Sequence, residues 1–430
     1  MDELRSVLRR RNGAIAFALL ALGLLERALW LAMRGIGRAS GEATNVAIAF
    51  AQSGSIADPF GRGSGLTAHL NPLPPIFVGT VYRLFGIQSL PAELVLAGVS
   101  IVVVLASAYV LYRAFGLLGM PVEWRLAALA LFCLLPLNVS LETTTFRTWE
   151  GAIAALLGYS ALLLVLTCDA RPALSWRWWI GLSALTALLF FMNPPLGVAG
   201  YAMLGLLMLR KASWRRWPAL IGVTGVVLAI VLAPWVLRNF EAFDRFIPLR
   251  SNAGMELALA NHPAAVGQGD ELQVFLARLD EIHPYQSQAA FAKMQAAGDE
   301  RLYSDQLGKE AKAWIAAHPT QFASLSLRHI GQFYFPPAWQ WTIYERASRA
   351  TGVKQGVTWA FALLGLIGAL GAALIWRGAY LYVAALTLIP ALPYAFVQPV
   401  LRYRYIVFAL LMFLAIDVLR RIVPQRPGAR

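Results

Sequence analysis

The chain has 430 residues, of which 58% are hydrophobic and only 14% are charged, a composition too apolar for a soluble globular protein. It carries 37 Lys and Arg against 23 Asp and Glu, a formal net charge of +14. The arginines recur as small groups beside apolar runs, which is typical of cytoplasmic loops and argues against nucleic acid as a partner. The composition therefore predicts an all-α polytopic membrane protein.

Ten apolar segments are candidates for transmembrane helices, each of which needs about 20 residues to cross a bilayer. If the ten alternate across the membrane, the basic clusters all fall on one side, which the positive-inside rule assigns to the cytoplasm. We therefore expect a multi-pass protein of the plasma (inner) membrane with both termini cytoplasmic and Arg9, Arg10 and Arg11 among the inner charges. The ten predicted spans are 13–33, 92–115, 126–137, 151–167, 178–192, 196–209, 217–237, 357–375, 379–397 and 405–419.

The same alternation places four polar segments together on the outer side. They are the loop at 34–75, a turn around Glu142 and Arg147, the long segment 238–355, and a turn at Arg402. Helical periodicity predicts helices at 271–282, 299–317 and 320–335 within the long segment. The predicted organisation is a transmembrane module at 1–237 whose first outward loop carries the candidate active site, a small, mostly helical outward domain at 238–355, and C-terminal transmembrane helices with a cytoplasmic tail at 356–430.

The first outward loop brings acidic and basic side chains close together. Ser40 is a candidate cap for an amphipathic helix that holds Glu42 in its first turn. Glu42 is either a catalytic base or a residue that stabilises the helix dipole. Asp58 precedes a proline in a glycine-rich turn, so it is either structural or a second catalytic carboxylate, and the glycines match no nucleotide-binding motif. His69 either contacts substrate or satisfies a hydrogen bond within the loop.

Two arginines stand where outward turns normally lack them. Arg402 and Arg404 precede the last predicted span, and arginine forks suit phosphate oxygens. Arg404 sits beside the mouth of that span and is the first candidate for a lipid phosphate, although snorkelling toward the head groups is an alternative. The remaining substrate-binding candidates are Arg38, Arg62, Arg147 and Glu150, the last facing the same cavity.

Several stretches resemble the GT-C glycosyltransferases, specifically bacterial relatives of the dolichyl-phosphate-mannose protein mannosyltransferases. The stretches are TAHLNPLPPIFVGTVYRLFG, APWVLRNFEAFDRFIPLRSNAGMELALANHP, EAKAWIAAHPTQFASL and RYRYIVFALL. The resemblance touches most of the chain. It implies transfer of a sugar from a polyprenyl-phosphate carrier to an acceptor hydroxyl or amide on the outer membrane face, with inversion. Many members carry an Asp-Glu pair or a single Asp at the start of the first-loop helix; the dipeptide here is Gly41-Glu42, so only Glu42 takes that role.

The predicted function is therefore that of a membrane glycosyltransferase for a hexose or pentose, with a glycan, lipid or protein as acceptor. Glu42 is expected to be the general base, with a pKa raised toward neutrality by a partly dry cavity. No cofactor is expected, and a metal should be dispensable because the loop lacks the paired carboxylates that a divalent ion prefers. The alternatives are a transporter or flippase of lipid-linked saccharides, although no repeated half is visible, and a non-catalytic assembly subunit.

Overall fold

The computed structural model describes residues 10–423, so Arg9 and the two predicted cytoplasmic ends lie outside the described residues. Within this range the backbone is helical, and its only β-type pairing is an isolated bridge between Ala57 and Leu66. The helices of eight or more residues are α1 (Asn12–Arg34), α2 (Glu42–Ser53), α3 (Leu73–Phe85), α4 (Leu90–Leu117), α5 (Val122–Leu134), α6 (Gly151–Asp169), α7 (Trp176–Met192), α8 (Pro194–Lys211), α9 (Trp217–Phe243), α10 (Ala253–Ala260), α11 (Glu271–Ile282), α12 (Gln288–Ala297), α13 (Glu300–Ala317), α14 (Pro319–Tyr334), α15 (Arg349–Gly371), α16 (Tyr380–Leu388) and α17 (Leu401–Ile422).

Each predicted span falls on a helical segment, because long apolar runs bury their backbone polar groups best as helices. Five helices in the described range are long and apolar enough to cross a membrane. They are α1, α4, α6, α9 with its preceding turn, and α15 with its following turn. Helix α5 and the short helical stretch Val139–Arg147 would form a sixth span, bent by 73°. The helical fold class is therefore confirmed, while the predicted number of ten spans goes beyond the five or six that length and composition support.

Helix α17 forms the centre of the bundle. It contains several charged residues, yet nearly every residue from Leu401 to Val418 is buried. Helices α5, α6 and α15 all pack against it. Helix α15 comes closest at Gly365, where an added Cβ would lie 2.7 Å from the carbonyl oxygen of Leu411. Such close approach of helices at small residues is typical of packing in membranes.

Two buried ion pairs, which we call the bundle pairs, tie the helices together on one side of α17. The guanidinium of Arg27 lies 2.7 Å from Glu142, whose other carboxylate oxygen accepts a hydrogen bond of 2.8 Å from the Tyr405 hydroxyl. Arg147 contacts Glu93 at 2.5 Å. All four charged side chains are almost inaccessible to solvent. Each charge is therefore compensated by its partner, as burial of a charge in the interior requires.

The segment at 238–355 is helical, as its periodicity predicts. The predicted helices at 271–282, 299–317 and 320–335 correspond to α11, α13 and α14, and Asp299 caps α13 by accepting a 2.7 Å hydrogen bond from the amide of Leu302. Helices α10 and α12 are short and were not predicted. The small core of this segment, which includes Met255, Ile282 and Tyr303, also contacts Phe60 of the first loop. The first loop and the long segment therefore share one hydrophobic cluster.

Candidate functional site

A cavity of about 520 Å³ lies where the four segments that the sequence places on one side of the membrane meet. Helix α2, the turn before α6, helices α10 and α11, and the turn before α17 all contribute to its wall. The charged and aromatic residues in this lining are Arg38, Glu42, His69, Arg147, Trp149, Arg250, Glu256, Phe275, His283, Tyr285, Tyr344, Arg402 and Tyr403. Charged and aromatic residues that are far apart in the sequence thus line one cavity.

Glu42 is the first residue of α2, as the sequence predicts, but the predicted cap is wrong. The residue before the helix is Gly41, with φ of 104°, and no side chain caps the helix. The amides of Thr44 and Asn45 instead donate to the Gly41 carbonyl, each at 3.0 Å. A positive φ is open to glycine at little cost, so the chain can turn sharply here and direct Glu42 into the cavity.

Glu42 meets two histidines in what we call the Glu42–His cluster, formed by Glu42, His69 and His283. Its Oε1 lies 3.0 Å from Nε2 of His69 and 3.4 Å from Nε2 of His283. The three ligand atoms all lie within 4.8 Å of one another. Neither ring nitrogen is aligned to donate a hydrogen bond, so the buried Oε1 has no hydrogen-bond partner among the described residues. The ring of Phe60 packs edge-on against both imidazoles.

The charges in the cluster set the protonation of its members. Burial alone would raise the pKa of Glu42, but His69 and His283 outweigh burial and lower the pKa to about 2. Burial would lower the pKa of His69, and the Glu42 carboxylate outweighs it and raises that pKa. The pKa of His283 is lowered by burial and by His69 despite its attraction to Glu42. The expectation of a raised pKa for Glu42 is therefore wrong, because the sequence does not reveal the two imidazoles.

The Glu42–His cluster fits a divalent transition-metal ion, whereas the sequence-based expectation of a dispensable metal considered only paired carboxylates in the first loop. Two imidazole nitrogens and one carboxylate oxygen are a donor set typical of zinc, and a catalytic zinc site commonly has three protein ligands and one open position. The buried Oε1 of Glu42, which no described residue hydrogen-bonds, is the observation that supports this fit, since a buried carboxylate oxygen normally has a partner. His283 was not predicted as a site residue because it lies just after the C-terminal end of α11, far from the first loop in sequence.

A buried carboxylate from the long segment holds His69 in position. Oε2 of Glu300 accepts a 2.7 Å hydrogen bond from the Thr67 hydroxyl, and Thr67 Oγ1 in turn accepts one of 2.9 Å from the His69 amide. Oε1 of Glu300 accepts 2.7 Å hydrogen bonds from the Ala68 amide and the Ser251 hydroxyl. Sequence analysis missed Glu300, whose only local signal is its place in the first turn of a capped helix.

Arg402 enters the cavity without a carboxylate partner. Its guanidinium carbon lies 4.0 Å from the ring centroid of Trp149 and 5.0 Å from that of Tyr403, and it donates a 3.1 Å hydrogen bond to the Tyr403 hydroxyl. It forms no ion pair within residues 10–423. Two aromatic faces therefore hold a cation whose remaining donors are available for an anion.

Arg404 has the opposite environment. Its side chain is 1% exposed, is absent from the cavity lining, and has three nitrogens without a hydrogen-bond partner in the described part of the chain. The ring of Phe408, 5.4 Å away, is the aromatic contact of its guanidinium. Both arginines lie in the first turn of α17, where a separation of two residues turns a side chain by about 200°. The sequence-based choice of Arg404 over Arg402 as the phosphate contact is corrected accordingly.

Asp58 and Arg62 lie outside the cavity. Asp58 has φ of 63°, and its Oδ1 accepts hydrogen bonds from the amides of Gly63 and Gly65, at 3.1 and 3.0 Å. This geometry thus supports a structural role for Asp58 in the turn. Arg62 is exposed at the tip of the same turn. The turn positions Phe60 against the histidines instead of supplying a catalytic group.

Of the other three candidates, Arg38 and Arg147 line the cavity and Glu150 does not. Arg38 is exposed and lines the cavity. Arg147 also lines it, but its guanidinium is engaged by Glu93 and by the Gly37 carbonyl at 2.9 Å. Glu150 does not line the cavity and forms an ion pair with Arg250, which does. Arg147 and Glu150 therefore organise the wall.

Comparison with known proteins shows likeness at the level of the fold. No protein-family model and no curated protein matches the chain. Among the solved structures that do match are the archaeal oligosaccharyltransferase AglB from Archaeoglobus fulgidus in complex with an inhibitory peptide and a dolichol-phosphate, and the Archaeoglobus fulgidus oligosaccharyltransferase in the apo form. Each has a TM-score of 0.54 and 14% identity, over 96% and 95% of this chain respectively and 50% of the other chain. This chain thus spans about half the length of the structures it matches, and it has the fold of the GT-C membrane glycosyltransferases, as its sequence resemblance predicts.

Proposed function

We propose that this protein is a glycosyltransferase that moves a hexose or pentose from a polyprenyl-phosphate carrier to a glycan, lipid or protein acceptor. The observation that carries the proposal is that one cavity is lined both by Arg402, which has no ion pair within residues 10–423, and by the Glu42–His cluster. The GT-C fold supports the class of donor, as does the dolichol-phosphate in complex with one of the matched oligosaccharyltransferases. The protein crosses the plasma membrane with ten spans, has both termini in the cytoplasm, and performs the reaction on the outer face.

The donor phosphate binds at Arg402. The contacts of the guanidinium with Trp149 and Tyr403 fix its orientation, and its remaining N–H groups match phosphate oxygens in geometry and charge. Arg38, an exposed residue of the first loop, also lines this cavity. Negative charge accumulates on the phosphate as the sugar leaves, so fixed positive groups there stabilise the transition state more than the ground state.

Glu42, His69 and His283 would hold a divalent transition-metal ion at another part of the wall. Such an ion would supply Lewis-acid stabilisation of an oxygen that gains negative charge. With a pKa of about 2, Glu42 is ionised at neutral pH and suits the role of an anionic ligand better than that of the general base expected from the sequence. Direct displacement of the phosphate by the acceptor would invert the configuration at the anomeric carbon.

The experiment that tests this function uses the purified full chain in liposomes. Radiolabelled polyprenyl-phosphate hexoses and pentoses are supplied one at a time, together with glycolipid, polysaccharide and envelope proteins from cells that lack the protein. Protein-dependent movement of label from one carrier into an acceptor is the expected result. Movement of the labelled carrier across the bilayer without transfer of label would instead establish the alternative, a flippase of lipid-linked saccharides.

A further inference from the structure

The carboxylates at the cavity differ in whether another side chain already engages them. Glu42 belongs to the Glu42–His cluster, and Glu150, behind the wall, pairs with Arg250. Glu256 lines the cavity and forms no ion pair in the described part of the chain. We propose that Glu256 is the general base that takes the proton from the acceptor hydroxyl, an inference that rests on the proposed function.

The Glu256 carboxylate has the free oxygen that this role requires. Its Oε1 accepts one long hydrogen bond of 3.3 Å, from the Asn252 side-chain amide. Its Oε2 receives no hydrogen bond from residues 10–423, and this oxygen remains accessible to solvent. A base must come within hydrogen-bond reach of the proton that it removes, and an oxygen already held by protein donors would be unable to do so.

The helix that carries Glu256 is held rigidly. Helix α10 lies so close to α13 that a Cβ added to Gly254 would be 1.9 Å from the carbonyl oxygen of Ser304. The Met255 amide also donates a 3.2 Å hydrogen bond to the Ser304 hydroxyl. Helix α13 begins with Glu300, the residue that positions His69. One helix therefore fixes both the base and the Glu42–His cluster, which is the precise positioning that catalysis needs.

The charges around Glu256 are consistent with a base. Burial raises the pKa of Glu256, partly opposed by Arg402, His69 and Arg250, while Glu42 raises it further. A carboxylate with a raised pKa holds a proton more strongly than an ordinary one and so is a better acceptor of it.

The step is a single displacement. The acceptor oxygen attacks the anomeric carbon, and the bond from that carbon to the phosphate oxygen breaks with its electron pair remaining on the phosphate. The hydroxyl proton passes to Oε2 of Glu256. Glu256 and Arg402 both line the cavity. In this step Glu256 serves the attacking oxygen and Arg402 serves the departing phosphate.

The test compares Glu256→Gln with wild type in the liposome assay, using the donor that wild type accepts. We expect transfer to fall by about 10² to 10⁴-fold, while binding of undecaprenyl phosphate, measured as thermal stabilisation, stays unchanged. Glu241→Gln, which alters an exposed carboxylate of α9 away from the cavity, is the matched control and should transfer at the native rate. A Glu256→Gln protein that transfers at the native rate would overturn the inference.

A second variant covers the case in which Glu256→Gln does not fold. Glu256→Ala is assayed with and without formate, a small carboxylate that can occupy the vacated space. Slow transfer that formate accelerates supports a base at this position, whereas native transfer, or slow transfer that formate leaves unchanged, contradicts it. Different results would refute the two proposals. If the wild-type protein transfers no sugar, the proposed function is refuted. If wild type and Glu256→Gln are equally active, only the role of Glu256 is refuted.

Discussion

Two sets of charged groups inside this protein differ in whether their members have partners, and the contrast separates structure from chemistry. In the bundle pairs, Arg27 with Glu142 and Arg147 with Glu93, each guanidinium directly contacts a buried carboxylate. In the cavity, Arg402 has no carboxylate partner and Oε1 of Glu42 has no hydrogen bond from any residue in the range 10–423. Satisfied buried pairs hold helices together, and unsatisfied groups that face a cavity are available to a ligand.

Among the paired and unpaired groups of this comparison, the largest effect is expected at the Glu42–His cluster. Glu42→Gln keeps the size of the side chain but removes the charge that binds a metal ion, so transfer should fall by about 10² to 10³-fold. Purified wild type should also contain a transition metal by elemental analysis, and the variant should lose it. If Glu42→Gln transfers sugar at the native rate and keeps the native metal content, then Glu42 contributes neither to transfer nor to metal binding.

A comparable effect, on stability alone, is expected in the bundle pairs. Glu142→Gln leaves the buried Arg27 with only one carboxylate contact, the longer one of 3.3 Å to the partly exposed Glu26, which should destabilise the fold by up to about 3–5 kcal/mol. The paired replacement Arg27→Met with Glu142→Leu removes both charges and should recover most of that loss. The melting temperature of both variants in detergent measures these changes. If Glu142→Gln melts at the same temperature as wild type, the bundle pairs do not stabilise the fold in the way that distinguishes them from the cavity groups.

A smaller effect is expected for the residue that supports the cluster. Glu300→Gln should weaken metal affinity by about 10 to 100-fold, because loss of an outer-shell partner loosens a ligand without removing it. Isothermal titration with zinc gives the affinity, and Asp305→Asn on the same helix is a control that leaves the Thr67 and Ser251 contacts intact. Equal zinc affinities for wild type and both variants would reduce Glu300 to a purely structural role.

The smallest effect is expected at Asp58. Asp58→Asn weakens two hydrogen bonds to loop amides, so it should cost about 1 kcal/mol of stability and leave transfer near the native rate. The liposome assay and thermal unfolding together check this outcome. Loss of transfer at native stability would return Asp58 to the set of catalytic candidates.

Much of the helical fold follows from local sequence. Apolar runs predict the bundle helices, and periodicity with flanking prolines predicts α11, α13 and α14, since both signals reside in neighbouring residues. The short helices α10 and α12 lack a strong signal of this kind. The positive-inside rule, applied to the basic clusters, also predicts that the four segments that meet at the cavity lie on the same side of the membrane.

The site itself depends on contacts that local patterns do not encode. His283, Glu256 and Glu300 come from the long segment, and their pairing with the first loop arises only when the chain folds. The choice between Arg402 and Arg404 failed for a different reason. The last span was predicted to start at 405, whereas α17 starts at Leu401, so both arginines lie on the helix and its turn decides which one faces the cavity.

Binding of undecaprenyl phosphate to Arg402→Met and Arg404→Met decides whether the cavity is the donor site, because the two variants remove one guanidinium each from the same helical turn. We expect Arg402→Met to weaken binding by about 10 to 100-fold, the loss that follows removal of a charged hydrogen bond. Arg404→Met should bind like wild type and melt at the same temperature or higher, since it removes a buried charge that no described residue hydrogen-bonds. The reverse result, with binding lost in Arg404→Met and retained in Arg402→Met, would contradict the assignment of the cavity as the donor site.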